Sequence, residues 1–196
     1  MKKFQLISVL IILVFNSSIC LAQEQILYKQ IDTTQLFIEI YYPEKMDTVQ
    51  KYPAMVFFFG GGWVNGNRYH FLNHAKYFAK RGLVCFLVDY RTQSKNGTTP
   101  FECLQDAKSA MRYIRKNADK FNIDKTKIIA SGGSAGGHLA AATALIEDFN
   151  ESSDDLSVSS IPNALVLFNP VIDNGRVVMD IAGLEINTRI FLHCTI

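Results

Sequence analysis

Cysteine is scarce in this chain, four among 196 residues, and so is any surplus of charge, with 20 Lys and Arg against 18 Asp and Glu. Cys20 falls in an N-terminal leader, Cys85 in an apolar run, Cys103 on the apolar stripe of a helix and Cys194 at the end. The odd number left after the leader, so placed, describes buried thiols and argues against a disulfide framework. Lys2 and Lys3 leave with the leader, so basic residues fall from 20 to 18 and the remainder is formally neutral. It therefore lacks the electrostatic footprint of a nucleic-acid or acidic-membrane partner. Internal repeats and low-complexity linkers are absent too; the nearest is Glu151 to Ser160, a Ser/Asp-rich stretch read as a polar surface loop. Length fits one domain with an ample core.

Uninterrupted apolar sequence long enough to span a bilayer is also lacking. Leu6 to Phe15 is too short and is closed by Asn16, Ser17 and Ser18. With Lys2 and Lys3 before it and Cys20-Leu21-Ala22 after it, the pattern is that of a cleavable secretory signal over residues 1–22. Ile19 is bulky where a lipidation site needs a small residue, so Cys20 is not read as a lipid anchor. The expectation is a secreted or periplasmic protein that starts at Gln23 and has no stable membrane anchor.

What is present alternates. Ile26 to Ile31 and Leu36 to Tyr42, around Asp32-Thr33-Thr34, predict an antiparallel hairpin. Ala54 to Phe59, Leu83 to Val88, Ile128 to Ala130 and Ala164 to Phe168 are apolar runs of strand length. Between them, Phe71, Leu72, Ala75, Phe78 and Ala79 recur at helical spacing, as do Cys103, Leu104, Ala107, Ala110, Met111 and Ile114 after Pro100. Ala135 to Leu145 reads as an Ala-rich helix. Buried strands alternating with amphipathic helices predict an α/β fold whose mostly parallel sheet is covered on both faces. Ligands of such sheets bind at the C-terminal ends of the strands.

Ser134 sits at one of those ends, flanked by Gly132, Gly133, Gly136 and Gly137. A sharp strand-to-helix turn forces its central residue into a sparsely populated conformation and brings two backbones together, which residues without side chains permit. The Ser134 hydroxyl would stand clear there, with the Ala135 N–H at a helix N-terminus beside it. A second glycine cluster, Gly60-Gly61-Gly62-Trp63, ends another strand on the same rim. Its backbone N–H groups can converge with that of Ala135 on one point, as an oxyanion site requires. The plainer alternative is a tight turn that needs a flexible backbone.

Phe57-Phe58-Phe59-Gly60-Gly61-Gly62-Trp63, Val88-Asp89-Tyr90-Arg91, Asp106-Ala107 and Gly132-Gly133-Ser134-Ala135-Gly136-Gly137-His138 together resemble the α/β-hydrolase superfamily. The likeness is to its acetylesterase/lipase branch, related to hormone-sensitive lipase and bacterial carbohydrate and feruloyl esterases, from about Leu36 to Asn174. It implies a three-layer sandwich and a serine esterase acting through an acyl-enzyme. Its substrates would be acetyl or feruloyl groups on carbohydrate, or short-chain acyl esters, with no metal or organic cofactor. Ser134 would be the nucleophile, and Gly61, Gly62 and Ala135 the oxyanion donors. Phe59 departs from the lipases' motif, which has His there to brace the loop.

The triad His and Asp of that family follow its last strands, and no segment here matches them, so the expectation is a partial domain, residues 23–175, missing its last strands and helices. His138, on the elbow helix, is expected to pack or cap, because a base must approach from the open rim. His70 and His74 are four apart on one helix face; without a third ligand they read as a solvated face. Asp173 follows a strand on the active rim and is a distant candidate for the acid. His193 lies in residues 176–196, which keep no hydrophobic period. Permitted codons in a shifted frame spell a family-like segment containing Ser-Pro-Leu-His, so this tail is expected to come from a one-base deletion near the Gly175 codon. Alternatives are a peptidase of the same fold and an inactive fragment or non-catalytic binding protein.

Overall fold

Residues 23–47 and 49–172 are described by the computed structural model. The leader through residue 22, the tail over residues 176–196, Asp173, His193 and Cys194 lie outside them.

β1 (Gln23–Ile31) and β2 (Thr34–Tyr41) form the predicted hairpin, turning at Asp32, whose φ is 49°. β1 alternates exposed and half-buried positions, as a strand with one wet face should. β3 (Tyr52–Phe58) and β4 (Val84–Val88) are almost wholly buried, which explains their unbroken apolar runs. β5 (Ile123–Ser134) and β6 (Ala164–Pro170) complete a six-stranded sheet in the order β1-β2-β4-β3-β5-β6. The first three of these strands pair antiparallel; β4, β3, β5 and β6 run parallel. Phe58 is in register with both Val88 and Gly132, so β3, β4 and β5 end level on one rim.

Side chains alternate across this sheet into two cores. Val56, Phe58, Phe86, Val88, Ile128 and Ala130 face α3 (Pro100–Lys116) and α4 (Ala135–Leu145). Met55, Phe57, Cys85 and Leu87 face Phe71, Ala75 and Ala79, from a 3-10 turn (Arg68–Phe71) and the helix after it, α1 (Leu72–Ala79). Helix, sheet and helix make the three layers of an α/β-hydrolase sandwich. Each large apolar side chain so buried contributes about 1.5–3 kcal/mol. Cys85 and Cys103 are buried free thiols, their pKa values pushed up to about 12 chiefly by burial.

α3 starts on a capping box, Thr99 with Glu102, and has Pro100 in its first turn, where a missing N–H costs nothing. A four-residue helix, α2 (Gln93–Asn96), was not foreseen; Gln-Ser-Lys-Asn carries no apolar period to announce it. Residues 151–160 form the expected polar surface loop, with Ser152, Ser153, Asp155, Leu156, Ser157 and Ser159 exposed, but the loop is also tied to the body of the domain. Asp154 pairs with Arg112 at 2.9 Å and accepts from Ser109 at 2.8 Å, Glu151 pairs with Lys29 at 3.0 Å, and Ser160 is buried. Its acids meet basic groups that α3 and β1 keep from water, so the polar stretch is docked.

Candidate active site

β5 delivers Ser134 to the rim and α4 leaves from it. Ser134 has φ 52° and ψ −121°, a conformation that a non-glycine residue holds only where its surroundings over-determine it. Those surroundings are backbone at close range. A Cβ on Gly136 would lie 2.1 Å from the Phe58 carbonyl oxygen, and one on Gly132 2.4 Å from that of Gly136. At Gly137 it would meet Pro170 Cβ at 2.9 Å. Elbow, β3 and β6 are thus packed backbone on backbone, and a methyl group at the first two positions has nowhere to go.

The glycine loop after β3 runs alongside. A Cβ on Gly60 would meet Gly133 O at 2.9 Å and Ser134 Cβ at 3.4 Å, so the loop begins in contact with the elbow. Gly61 (φ 132°), Gly62 (φ 62°) and Trp63 (φ 61°) follow in left-handed backbone. Gly61 O accepts from Val64 N and Asn65 N, both at 3.1 Å. Phe59 lies buried beneath, stacked on Tyr90 at 3.9 Å, and the Tyr90 hydroxyl donates to Phe59 O at 2.6 Å. Gly66 presses on the other side, since a Cβ there would be 2.6 Å from Phe59 Cδ2. Ring packing and one tyrosine hydrogen bond therefore brace the loop where the resembling lipases have His.

The three described histidines go elsewhere. His138 stands edge-on to Trp63 at 5.2 Å; its Nδ1 is buried without a partner, and burial pulls its pKa down to about 4. It is a packed, neutral ring, as expected. His70 is exposed, edge-on to Phe59; His74 is exposed and lies 5.2 Å from both Phe71 and Phe168. Among the described residues no group of three His, Cys, Asp or Glu is placed to hold a metal ion. A cleft of about 760 Å³ lined by Lys51, Arg115 and Lys125 lies by Ile123, where β5 begins, at the end of the sheet away from Ser134.

Sequence reasoning missed the charged cluster beside the rim. Asp106 of α3, fully buried, accepts from Lys29 Nζ at 2.7 Å and from Arg91 N, Nε and Nη2 at 2.9, 2.8 and 2.9 Å. Two residues before Arg91, Asp89 is bridged to Glu39 of β2 by Arg68, and Glu39 also accepts from Gln23 and the Tyr41 hydroxyl. Burial raises the Asp89 pKa, and Arg68 opposes it. One signal was legible: Asp106 falls among the apolar residues of α3, where a solvated carboxylate has no place.

Residues 38–182 match the model of the BD-FAE family. The chain is 39% identical over 97 residues to esterase LipC of Mycobacterium tuberculosis, covering 47% of this chain and 23% of that protein. It is 34% identical over 102 residues to endo-1,4-beta-xylanase B of Butyrivibrio fibrisolvens, 50% of this chain and 16% of the other. Among solved structures it resembles the apo form of Thermogutta terrifontis esterase 2, at 43% identity and TM-score 0.76, covering 78% of this chain and 57% of that one. The same esterase phosphorylated by paraoxon matches at 43% identity and TM-score 0.74, over 76% and 57% of the two chains. The chain thus spans less than two thirds of each of these relatives. With the elbow, the glycine loop and the three-layer sandwich in the same chain as this match over 38–182, the protein belongs to the BD-FAE family of α/β-hydrolase esterases.

Proposed function

We propose that this chain carries the nucleophilic half of a secreted serine esterase. The observation that carries it is the strained Ser134 at the β5–α4 turn with Gly60 against it. Ser134 Oγ attacks the carbonyl carbon of an ester, and the N–H groups of Gly61, Gly62 and Ala135 hold the oxyanion. The C–O bond to the alcohol breaks, leaving an acyl-enzyme that water hydrolyses. Each such donor is worth roughly 3–4 kcal/mol in the transition state. The base that takes the Ser134 proton and the acid that orients it are not among the described residues.

Acetyl or feruloyl groups on carbohydrate, or short-chain acyl esters, are the proposed substrates. Similarity to an esterase, and to a protein named as a xylanase, supports that range. In a chain that also supplies that base and acid, turnover of p-nitrophenyl acetate should fall about 10³-fold or more in Ser134→Ala. Cleavage of peptide nitroanilides in preference to esters would favour a peptidase. Export follows from the leader, and mass spectrometry of secreted material should find Gln23 at the N-terminus; retained Met1 would contradict it.

A further inference from the structure

Trp63 poses a physical problem that the oxyanion glycines alone do not solve. It is a bulky residue at φ 61°, directly after Gly62, and such a conformation persists only where neighbours hold it. Its ring meets His138 edge-on but its indole nitrogen is buried without a hydrogen bond, so the side chain does not anchor it through polar contact. The backbone is what is held. Trp63 O accepts from Gln93 N at 3.0 Å, and Val64 O accepts from Ser94 N at 2.9 Å.

Gln93 and Ser94 are in turn fixed from the core. They open α2, two residues after Arg91, and Arg91 is tied to the buried carboxylate of Asp106 through its backbone N–H and both sides of its guanidinium. The Cys103 thiol donates to Arg91 O at 3.1 Å. α3 thus grips the strand end after β4, and that segment grips the loop after β3 through two main-chain hydrogen bonds. On the loop itself, Val64 N and Asn65 N close back on Gly61 O at 3.1 Å. No other described main-chain hydrogen bond links residues 60–66 to another part of the chain.

We infer that Asp106, Arg91 and the main chain of Gln93 and Ser94 form a brace that holds the Gly61 and Gly62 N–H groups at Ser134. This rests on the esterase reading above and assigns positioning residues, none of which touches the substrate. Preorganised donors count because they need no rearrangement as charge develops. A loop free to relax toward ordinary φ at Trp63 would carry both donors away.

Gln93→Pro tests the link without touching the ion cluster. Thr92 before it is extended, as the residue before proline prefers, and Gln93 is the first residue of α2, where proline is tolerated. The ring removes the N–H and sets Cδ against Trp63 O, pushing that carbonyl away. Gln93→Ala keeps the N–H and is the control, since the Gln93 side chain is exposed. With p-nitrophenyl acetate, Gln93→Pro should lower kcat and kcat/KM together by about tenfold or more, with KM within about twofold and thermal unfolding near wild type. Gln93→Ala should keep the wild-type rate. A Gln93→Pro variant as fast as wild type, or a Gln93→Ala variant as slow as Gln93→Pro, overturns the brace and leaves the esterase reading intact. Wild-type turnover that is unchanged in Ser134→Ala overturns that reading and the brace with it.

Discussion

Ser134 is costly where it stands. A left-handed serine gives up about 1–3 kcal/mol relative to relaxed backbone, and glycine does not. Ser134→Gly should therefore raise the free energy of unfolding by about 1 kcal/mol while abolishing ester turnover, measured by urea unfolding beside the p-nitrophenyl acetate assay. A destabilised glycine variant would mean that the hydroxyl, not the turn, is what the elbow needs. His138 offers a second test at this scale. Its folded pKa of about 4 lies below its ordinary value, so the unfolded chain binds the extra proton first as pH falls. Its contribution is whole above about pH 6.5 and is lost between there and about pH 4, at no more than about 1.4 kcal/mol per pH unit. His138→Gln should flatten that slope.

Elements were legible where one physical rule decided them. The buried strands β3 and β4, helix α3 and the Gly-flanked turn at Ser134 follow from apolar runs, apolar residues at helical spacing after Pro100 and the need for close backbones. α2 was not legible, because four polar residues with no period form a helix only through contacts from elsewhere. The docking of residues 151–160 was hidden for the same reason, since Asp154 reveals nothing about Arg112 until α3 and the loop are placed side by side. The bracing role of Phe59 needed the position of Tyr90, on another strand end. At this scale Gly136→Ala is the decisive change: its methyl would overlap Phe58 O at 2.1 Å, and overpacking against backbone should cost about 3 kcal/mol or more, read as a large fall in Tm.

Across the molecule, sheet and helices are joined by charge as well as by apolar contact. Lys29 of β1, Arg91 after β4 and Glu151 of the long loop converge on Asp106 of α3 or on each other, all largely out of water. Asp106→Ala would leave two buried cations short of their anion and should destabilise the fold by about 3–5 kcal/mol in chemical denaturation, with loss of turnover following loss of the fold. The level ends of β3, β4 and β5 then gather the glycine loop, the Arg91 segment and Ser134 on one rim. Whether that rim performs acyl transfer is settled most directly by exposing the protein to paraoxon and mapping the adduct by mass spectrometry. A single phosphoryl group on Ser134, absent from Ser134→Ala, is the predicted result; no adduct, or one that survives the alanine substitution, would contradict it.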